Sequence, residues 1–530
     1  MNYGQLDYSG QERFKRAVKA RTRNPNSCVY ISGLGDVSDY CKSFDFSRQL
    51  ANSLQENMPS TGSIVITDIE GEYISNGHSI IKTGANVIIN AGFGDDLIPR
   101  FAGLVTNSRV DSSTGEITIE ISDNSSILAE KQASGFYSDY PFPKELIDKI
   151  LADINPNLSV NYDNSSGEVA SFDFGLAYEA AFSSACSSGS TGATLVDTTH
   201  DFSKVKIGSV IKNETDSTIG TVVSAAGHTV VSTLSDWTYV SATTQDNYRV
   251  MESYASACVA GAGNTMTDSL SNFEKVELGM AIKNITDGSI GLITVITSTA
   301  PATTPNDTIV CSSGLHDGAN NDWGATDEYQ IYEALYIDPR SYWNLITGAL
   351  YCIFQLPYFD ENGILQIARR SKFNDTDIVF KDSDIISIDF LDTAPVINKK
   401  SVSFARSISY ADKALSNEDV EVGQNTRVIS LDGSIEQIKE YAEFTDEPLI
   451  NSWKAAGEVI NQELAWMGYP KFIFALQVPA RPELSYFDRI GISSNKRNIH
   501  CKGTIIGIQE SFSNGGYVSK FTILTPQERF

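Results

Sequence analysis

The sequence has little positive charge and no long apolar run. Its 530 residues carry 40 Lys and Arg against 66 Asp and Glu, which gives a formal net charge of −26. A protein this acidic is unsuited to holding nucleic-acid phosphates over a broad surface. No stretch reaches the roughly 18 apolar residues that a membrane-spanning helix needs. These absences exclude a typical DNA-binding protein, and we expect no membrane span.

Cysteine is also scarce. The cysteines are odd in number and no two form a Cys-x-x-Cys pair, so neither a disulfide framework nor a zinc ribbon is indicated. We interpret them as reduced, mostly buried thiols, and we interpret the sequons at Asn213 and Asn284 as turns rather than glycan acceptors. The seven cysteines are Cys28, Cys41, Cys186, Cys258, Cys311, Cys352 and Cys501.

Composition indicates a β-rich protein with many turns. Charged residues make up only 20 % of the chain and aromatic residues 10 %, and there are 39 glycines. This profile is typical of folded domains built from short strands rather than of disordered chains. At roughly 150 residues per domain, the length predicts about three or four domains. We therefore expect a mainly β, multidomain fold with a few helices.

Apolar periodicity predicts strands and helices at both ends of the chain. Ile117, Ile119 and Ile121 alternate with polar residues, which predicts a half-buried strand over Glu116–Ser122. Helices are predicted from Pro143 to before Pro156, around 342–353 and around 448–468, and a hairpin turn at 360–363. Further predicted strands are Ser63–Asp68, Asn86–Asn90, Phe101–Val105, Phe472–Val478, Asp488–Ile492, Gly503–Glu510 and Tyr517–Leu524.

The middle of the chain contains an internal duplication. Asp197 and Gly220 have counterparts at Asp268 and Gly291, 71 residues later. Between them, the same offset relates Phe202 to Phe273, Gly208 to Gly279, Lys212-Asn213 to Lys283-Asn284 and Asp216 to Asp287. Each copy closes on a Tyr-x-apolar strand. Such a repeat predicts two similar small β-modules in tandem. We expect them to be inserted at an exposed loop of a surrounding β-rich body.

Strand motifs recur in order on either side of this insert. In the first half they are Gly84–Phe93, Pro99–Val105 and Ile117–Asp123, and in the second half the hairpin Phe359–Leu365 and the strand Val402-Ser403-Phe404. The chain closes on Asp488–Ile492, Gly503–Ile508 and Lys520–Leu524. This order resembles the tail-hub or baseplate-hub family of tailed phages, over roughly 28–174 and 335–527.

The resemblance implies two tube-type β-barrel domains per chain and a homotrimer, so that three chains build a pseudo-sixfold ring. Such a hub links the hexameric tail tube to a tip or spike and forms part of the DNA-ejection channel. Its implied partners are the tail tube protein, the tape-measure protein and other baseplate proteins, with DNA only in transit. The implied location is the virion tail tip, after synthesis in the cytoplasm of a host bacterium. The acidity either repels phosphates in the channel or only keeps the protein soluble.

No catalytic motif is present. The five histidines are scattered, and no HExxH, GxSxG, Walker A or GxGxxG element occurs. Asp197, Asp201 and Asp268 lack the spacing of a calcium loop. We therefore expect no catalytic residue, cofactor or metal site and no enzyme activity, with a tail-associated cell-wall hydrolase as the least favoured alternative.

Trp237, Tyr239 and Trp323 are candidates for contact with a glycan or a protein partner. They precede the closing strands of the two modules, and exposed aromatic rings can stack on sugars or anchor a partner. Core packing is the competing interpretation, since large aromatic rings are usually buried. The second functional hypothesis is therefore a tail-tip receptor- or carbohydrate-binding protein that acts through the insert on a host surface glycan.

The N-terminus carries a basic cluster in an otherwise acidic chain. This arm is either a contact for an acidic neighbouring subunit or a solvated end. Its basic residues are Arg13, Lys15, Arg16, Lys19, Arg21 and Arg23.

The predicted organisation has six parts. They are the arm at 1–27, a first hub barrel at 28–140, a helical connector at 141–174, the tandem modules at 175–334 (copies about 186–252 and 258–333), a helix-hairpin connector at 335–375, and a second hub barrel at 376–530 that includes the helix 448–468.

Overall fold

The computed structural model confirms a mainly β, multidomain fold, and its described part contains four α-helices. It describes residues 25–526 apart from 51–58, 68–72, 76–77, 112, 138–139, 141, 155–157, 163–177, 206–208, 214, 216–217, 236, 242–243, 254, 269–272, 274–275, 277, 298–307, 333–335, 395–398, 406–417, 425–426, 430–434, 438–441, 447–448, 450–452, 468–470 and 514–515.

The first outer segment contains eleven strands and two helices. The strands are β1 (Pro25–Ile31), β2 (Gly35–Asp36), β3 (Cys41–Gln49), β4 (Thr61–Thr67), β5 (Ile74–Ser75), β6 (His78–Ser79), β7 (Asn86–Phe93), β8 (Asp96–Asp111), β9 (Glu116–Ser122), β10 (Gln132–Phe136) and β11 (Val160–Tyr162). The helices are α1 (Ser125–Glu130) and α2 (Pro143–Ile154).

The regular structure described in the insert consists of strands and one 3-10 turn, Phe202–Lys204. The strands of module 1 are β12 (Tyr178–Ala185), β13 (Thr191–Gly192), β14 (Thr194–Val196), β15 (Val210–Asn213), β16 (Thr218–Ala226), β17 (Thr229–Ser232), β18 (Trp237–Ser241), β19 (Thr244–Gln245) and β20 (Asn247–Ser253). Those of module 2 are β21 (Ala255–Ala257), β22 (Ala260–Ala262), β23 (Thr265–Thr267), β24 (Ala281–Asn284), β25 (Ile290–Leu292), β26 (Val295–Thr297), β27 (Thr308–Val310) and β28 (Glu328–Tyr332).

The second outer segment contains the remaining strands and helices. The strands are β29 (Tyr336–Ser341), β30 (Gln355–Phe359), β31 (Leu365–Arg369), β32 (Asn374–Lys381), β33 (Ser387–Ala394), β34 (Lys399–Ala405), β35 (Glu418–Gln424), β36 (Arg427–Ile429), β37 (Ile435–Gln437), β38 (Ala442–Asp446), β39 (Lys471–Pro479), β40 (Asp488–Ser494), β41 (Ile499–Ser513) and β42 (Gly516–Pro526). The helices are α3 (Tyr342–Tyr351) and α4 (Trp453–Met467).

Six strands of the first outer segment form one unit, which we call the N-terminal unit. Their order in the sheet is β1-β7-β8-β9-β4-β3. Apolar residues at alternate positions, among them Val29, Phe46, Ile64, Val87 and Ile119, bring all six strands into one buried cluster, as period-two patterning requires. The end strands β1 and β3 do not pair with each other within the described residues, so the unit wraps a single core without a closed hydrogen-bond ladder.

Six strands of the second outer segment form a C-terminal unit with the same topology. Their order is β32-β40-β41-β42-β39-β33. If the six strands of each unit are numbered 1 to 6 in chain order, their order across the sheet is 1-4-5-6-3-2 in both units. The units differ in one pairing direction, because the first and fourth strands are antiparallel in the N-terminal unit and parallel in the C-terminal unit. The C-terminal unit wraps its own buried cluster, which includes Phe380, Leu476, Ile490 and Phe521.

The strand registers of the two units also correspond. Leu104 pairs with Ser122 and a bulge follows Val105, while Thr504 pairs with Leu524 and a bulge follows Ile505. One residue before each pair is a glycine. A side chain at Gly103 would collide with the Ser122 carbonyl, and one at Gly503 would collide with the Ile523 side chain. The two outer segments are therefore two versions of one fold.

A layer of helices packs beside these units. Apolar residues of all four helices share a buried cluster with strands β30, β31 and β34, and the members include Leu128, Ile147, Leu350 and Leu464. Strand β10, before the insert, pairs with β29, after it. Strand β11, also before the insert, pairs parallel with β31, after it. The insert therefore leaves and re-enters the body at neighbouring strands, as the insertion hypothesis requires. The predicted domain limits stay a prediction.

The duplication in the insert is a structural one. Module 1 has the strand order β12-β20-β15-β16-β17-β14-β13-β18-β19, and module 2 has β21-β28-β24-β25 together with β22-β23-β27-β26. The strands of module 2 match the first seven places of module 1, with β25 and β26 both corresponding to β16, and β18 and β19 have no counterpart among the described residues of module 2. Leu195 opposite Val230 in module 1 corresponds to Met266 opposite Ile309 in module 2. Both pairs are buried in the core of their module.

Each module also repeats a set of buried hydrogen bonds. Tyr248 donates to Asp197 over 2.7 Å, and Tyr329 donates to Asp268 over 2.8 Å. Asn213 and Asn284 are fully buried, and each donates to an aspartate, Asp246 or Asp327. The Asn side-chain oxygen also accepts a backbone N–H two residues on, which is the turn predicted for the two sequons.

Trp237 allows a direct test of the module core. It is 2 % exposed, packs edge-to-face on Tyr248 and donates to Ser232 over 2.9 Å. Replacing a buried tryptophan by alanine removes apolar contacts and costs about 3–5 kcal/mol. We expect Trp237→Ala to lose amide protection throughout module 1, measured by hydrogen exchange and mass spectrometry on the full chain. Val240→Ala is the control, since Val240 is 70 % exposed, and equal protection in the two variants would contradict this account.

Candidate functional site: the junction of the two units

Strand β3 joins the two units into one 13-stranded sheet. It belongs to the N-terminal unit, where it pairs with β4, and its other edge pairs with β41 of the C-terminal unit. The shared register runs from Ser43 opposite Ser513 to Gln49 opposite Gly507. Phe44 stacks on Phe512 across this contact, with ring centroids 5.1 Å apart. The sequence positions joined here are more than 450 residues apart, so the contact is wholly tertiary.

A buried ion pair lies beside this strand contact. The Arg100 guanidinium, on β8, donates to both carboxylate oxygens of Glu510, on β41, over 3.0 and 2.7 Å. It also donates to the backbone carbonyls of Pro482 and Leu484. Arg100 is 1 % exposed and Glu510 is fully buried. Two parallel N–H···O bonds to one carboxylate are the strongest geometry for such a pair.

The surroundings of the pair satisfy both charges. Burial by itself works against the Arg100 charge, but the adjacent Glu510 carboxylate outweighs it and raises the pKa of the guanidinium. The Tyr517 hydroxyl donates to Glu510 over 2.8 Å. Burial and the Glu510 charge raise the pKa of Tyr517 well above its ordinary value, so this hydroxyl stays a donor. Because the hydrogen bonds of both charged groups are made, the buried pair fixes the contact between the two units and leaves no charge uncompensated.

A second ion pair connects β3 to the hairpin between β30 and β31. Arg48 is 2 % exposed and approaches Glu361 to 3.3 Å. Its guanidinium lies over the rings of Phe46 and Tyr486, 5.7 and 5.4 Å from their centroids. Burial alone would raise the pKa of Glu361, but the Arg48 and Arg100 charges hold it below its ordinary value. We call Arg48, Arg100, Glu361, Glu510 and Tyr517 the junction cluster.

The hairpin itself is held by the turn chemistry that its sequence predicts. The Asp360 side chain accepts the backbone N–H groups of Asn362 and Ile364 over 2.8 and 3.0 Å. Gly363 has φ of +75°, a left-handed conformation that favours glycine. Its carbonyl accepts a hydrogen bond from Asn124, in the N-terminal segment. The turn therefore places Glu361 beside Arg48 of the N-terminal unit.

A polar groove of about 640 Å³ opens beside this hairpin. Among its lining residues are Gly84, Asn86, Val105, Asn124 and Gly363. In the described part of the chain, no group of three or more His, Cys, Asp or Glu residues is arranged to hold a metal ion. Among the same residues, no helix is both long and apolar enough to cross a bilayer.

The aspartates considered for calcium have structural roles. The Asp197 carboxylate accepts hydrogen bonds from Thr199 and Tyr248. Burial opposes its charge, yet these bonds lower the pKa of Asp197 below its ordinary value. The Asp201 side chain accepts the Ser203 N–H at the start of a 3-10 turn. Asp268 accepts the Tyr329 hydroxyl, as Asp197 accepts Tyr248 in module 1.

The structure corrects the interpretation of the candidate aromatic residues. Trp237 and Trp323 are each 2 % exposed and lie in the cores of module 1 and module 2. Tyr239 is half-buried and packs against the same core as Trp237. Buried rings cannot stack on a sugar, so core packing accounts for both tryptophans. The basic arm lies outside the described residues, and its role as a subunit contact stays a prediction.

Sequence reasoning overlooked the junction cluster. Arg100 and Glu510 occupy inward-facing positions of strands whose neighbours inside are apolar. A charged residue at such a position is a signal that a buried partner exists. Nothing in the sequence says which of the 66 acidic residues that partner is.

No family model and no curated protein matches the sequence. Among solved structures, the chain is similar to a tail protein from Neisseria meningitidis MC58, with a TM-score of 0.43, 9 % identity, and coverage of 94 % of this chain and 96 % of that one. It is also similar to a 43 kDa tail protein of prophage MuSo2 from Shewanella oneidensis, with a TM-score of 0.43, 8 % identity, and coverage of 95 % and 99 %.

A third similar structure is a prophage tail protein from Listeria monocytogenes EGD-e, with a TM-score of 0.39, 8 % identity, and coverage of 95 % of each chain. These three structures are each described as tail proteins. The function proposed below rests on this chain's own residues.

The Arg100–Glu510 pair generates a stability prediction. Glu510→Leu leaves the Arg100 charge buried without its partner, and we expect it to cost about 3–5 kcal/mol of unfolding free energy. The double variant Arg100→Met with Glu510→Leu should recover most of this loss. Arg109→Met is the control, because Arg109 is 69 % exposed in its pair with Glu120 and such pairs contribute less than about 1 kcal/mol. Denaturant unfolding would contradict the account if Glu510→Leu and the control were equally stable.

Asp488 generates a pH prediction. Burial raises the pKa of its carboxyl from 3.8 to about 6, with repulsion from Glu361 and Glu483 adding to the effect. The folded chain thus binds this proton more tightly than the unfolded chain, so stability falls as the pH rises from about 4 to about 6. We expect Asp488→Asn to remove roughly 1–3 kcal/mol of that decline.

The measurement is the unfolding free energy of both proteins between pH 4 and 7. Asp375→Asn is the control, because a hydrogen bond and the charge of Lys502 lower the pKa of Asp375. Its contribution has the opposite sign and is lost as the pH falls. Parallel curves for the wild type and Asp488→Asn would contradict the role given to Asp488.

Proposed function

We propose that this chain is a structural subunit of a phage tail hub or baseplate hub. In this proposal three copies form a ring that connects the hexameric tail tube to the tail tip or spike and encloses part of the DNA-ejection channel. The tail tube protein, the tape-measure protein and other baseplate proteins are its partners, and DNA passes through only in transit. The site of action is the tail tip of the virion.

One observation carries the proposal. The N-terminal and C-terminal units have the same strand order and corresponding bulges and glycines. Three chains with two equivalent units each present six similar units around one axis. A threefold assembly can then match a sixfold tube on one face while it keeps threefold symmetry on the other.

The junction cluster supports this role mechanically. A ring subunit must keep its two units in one relative orientation, because an error at the junction is repeated three times around the axis. A shared strand pairing and the buried Arg100–Glu510 ion pair provide directional contacts between the units. The Arg48–Glu361 pair holds the β30–β31 hairpin against β3. The proposal has no catalytic step, and the charged groups buried at the junction pair with each other.

The insert has a subsidiary place in the proposal. Module 2 contacts the helical layer through Lys283, whose ammonium lies 4.8 Å from the Phe142 ring centroid and 3.7 Å from Glu145. Tyr332 packs edge-to-face on the same Phe142 ring. We propose that the modules are decorations anchored on the connector. A glycan-binding role would have to use surface residues other than the two tryptophans.

Native mass and particle imaging test the proposal. We expect the purified chain to form trimers at high concentration, and we expect antibody-labelled virions to show it in a threefold or pseudo-sixfold ring at the tail tip in electron micrographs. The electron micrographs are the more decisive measurement, because a hub subunit can need its neighbouring proteins in order to assemble. A label away from the tail tip, or a tail tip without a ring of this chain, would overturn the proposal.

A further inference from the structure

The C-terminal unit has an open edge strand with exposed apolar side chains. Strand β33 pairs with β39 on one side and has no strand partner on the other within the described residues. Phe390 is 57 % exposed, Leu391 53 % and Ile386, just before the strand, 50 %. Proteins ordinarily protect such an edge from unwanted pairing. An apolar open edge therefore indicates a surface that is covered in the assembled state.

The strand equivalent to β33 in the N-terminal unit is β3, and its edge is covered. Ser43-Phe44-Asp45-Phe46 pairs with β4 in the register in which Ser387-Ile388-Asp389-Phe390 pairs with β39. Phe46 is fully buried, whereas its counterpart Phe390 is exposed. Strand β3 also has a second strand partner, β41 of the C-terminal unit, which β33 lacks within the described residues.

The equivalent acceptor in the N-terminal unit is the second half of β8. In β41, the residues after the bulge pair with β42 on one side and with β3 on the other. In β8, Asn107–Asp111 after the matching bulge pairs with β9, and it has no other strand partner within the described part of the chain. Asn107, Arg109 and Asp111 are exposed there.

We propose that β33 of one copy pairs antiparallel with Asn107–Asp111 of β8 in the next copy. This contact repeats between chains the contact that β3 makes with β41 inside the chain, and it deepens the proposed function, on which it rests. Within one chain, Phe46 of β3 lies opposite Glu510 of β41. The same register between copies places Phe390 opposite Val110 and Asp389 opposite Asp111. The Asp111 carboxylate is occupied within its own turn, where it accepts the Ser113 N–H over 2.9 Å.

The partner of the open β33 edge is a second copy of this chain, because the equivalent contact, between β3 and β41, already exists within one chain. Donor edge and acceptor edge lie on different units, so the contact is heterologous, and repetition of a heterologous contact produces a ring when the rotation closes. Strand pairing supplies backbone hydrogen bonds, and the contact buries the exposed apolar side chains of β33.

Disulfide trapping between differently labelled copies tests this contact. One preparation carries Asp389→Cys and a second, of distinguishable mass, carries Asp111→Cys; both positions are exposed. Directly opposed residues of antiparallel strands are close enough for a disulfide. After mixing and mild oxidation of the assembled fraction, we expect a mixed disulfide dimer well above the level seen with the wild type. A chain carrying both substitutions should give covalent species up to the trimer.

Asp45→Cys mixed with Asp111→Cys is the matched control. Asp45 is the exposed equivalent of Asp389, but its strand edge is already occupied by β41, so no mixed dimer is expected. Equal trapping by the control, or no trapping in particles that show the ring, would overturn this contact and leave the hub proposal standing. Failure of the chain to appear in any ring would remove both proposals.

Discussion

The Arg100–Glu510 ion pair, beside the β3–β41 strand contact, is the constraint on which the rest of the body depends. It joins β8, which begins at Asp96, to β41, which ends at Ser513 near the end of the chain. Two charges buried together are stable only when their hydrogen bonds are complete, and here carbonyls and the Tyr517 hydroxyl complete them. Because the geometry is bidentate, the pair sets orientation as well as contact, and this makes two similar units behave as one body.

The chain contains two pairs of structural repeats. The outer units repeat a strand order, and the inserted modules repeat both a strand order and a set of buried hydrogen bonds. The modules leave the body between β11 and β29, where β10 and β29 pair, so an insertion there leaves the helical layer intact. Repetition with different neighbours explains why equivalent residues differ in exposure. Phe46 lies in the core of its own unit, on a strand that has β41 as a second partner, whereas Phe390 lies on a strand with an open edge.

Local patterns predicted local structure well. The strand Glu116–Ser122, the helix from Pro143 and the hairpin at 360–363 were predictable because side-chain periodicity and turn residues act over a few positions. The module repeat was predictable because its register is written in the sequence. The role of Trp237 and Trp323 was not, since a ring that is exposed and one that is buried have the same local sequence, and only the packing of the module core decides between them.

The sequence by itself determined the β-rich class, the positions of most strands and helices, and the duplication of the insert, because these follow from composition and from spacing along the chain. The tertiary structure alone decided that β3 pairs with β41, that Arg100 meets Glu510, and that the outer segments have a common strand order. Strand pairing between distant segments depends on which edges and which buried charges meet in space. No local pattern carries that information, because many strands and 66 acidic residues are equally eligible in sequence.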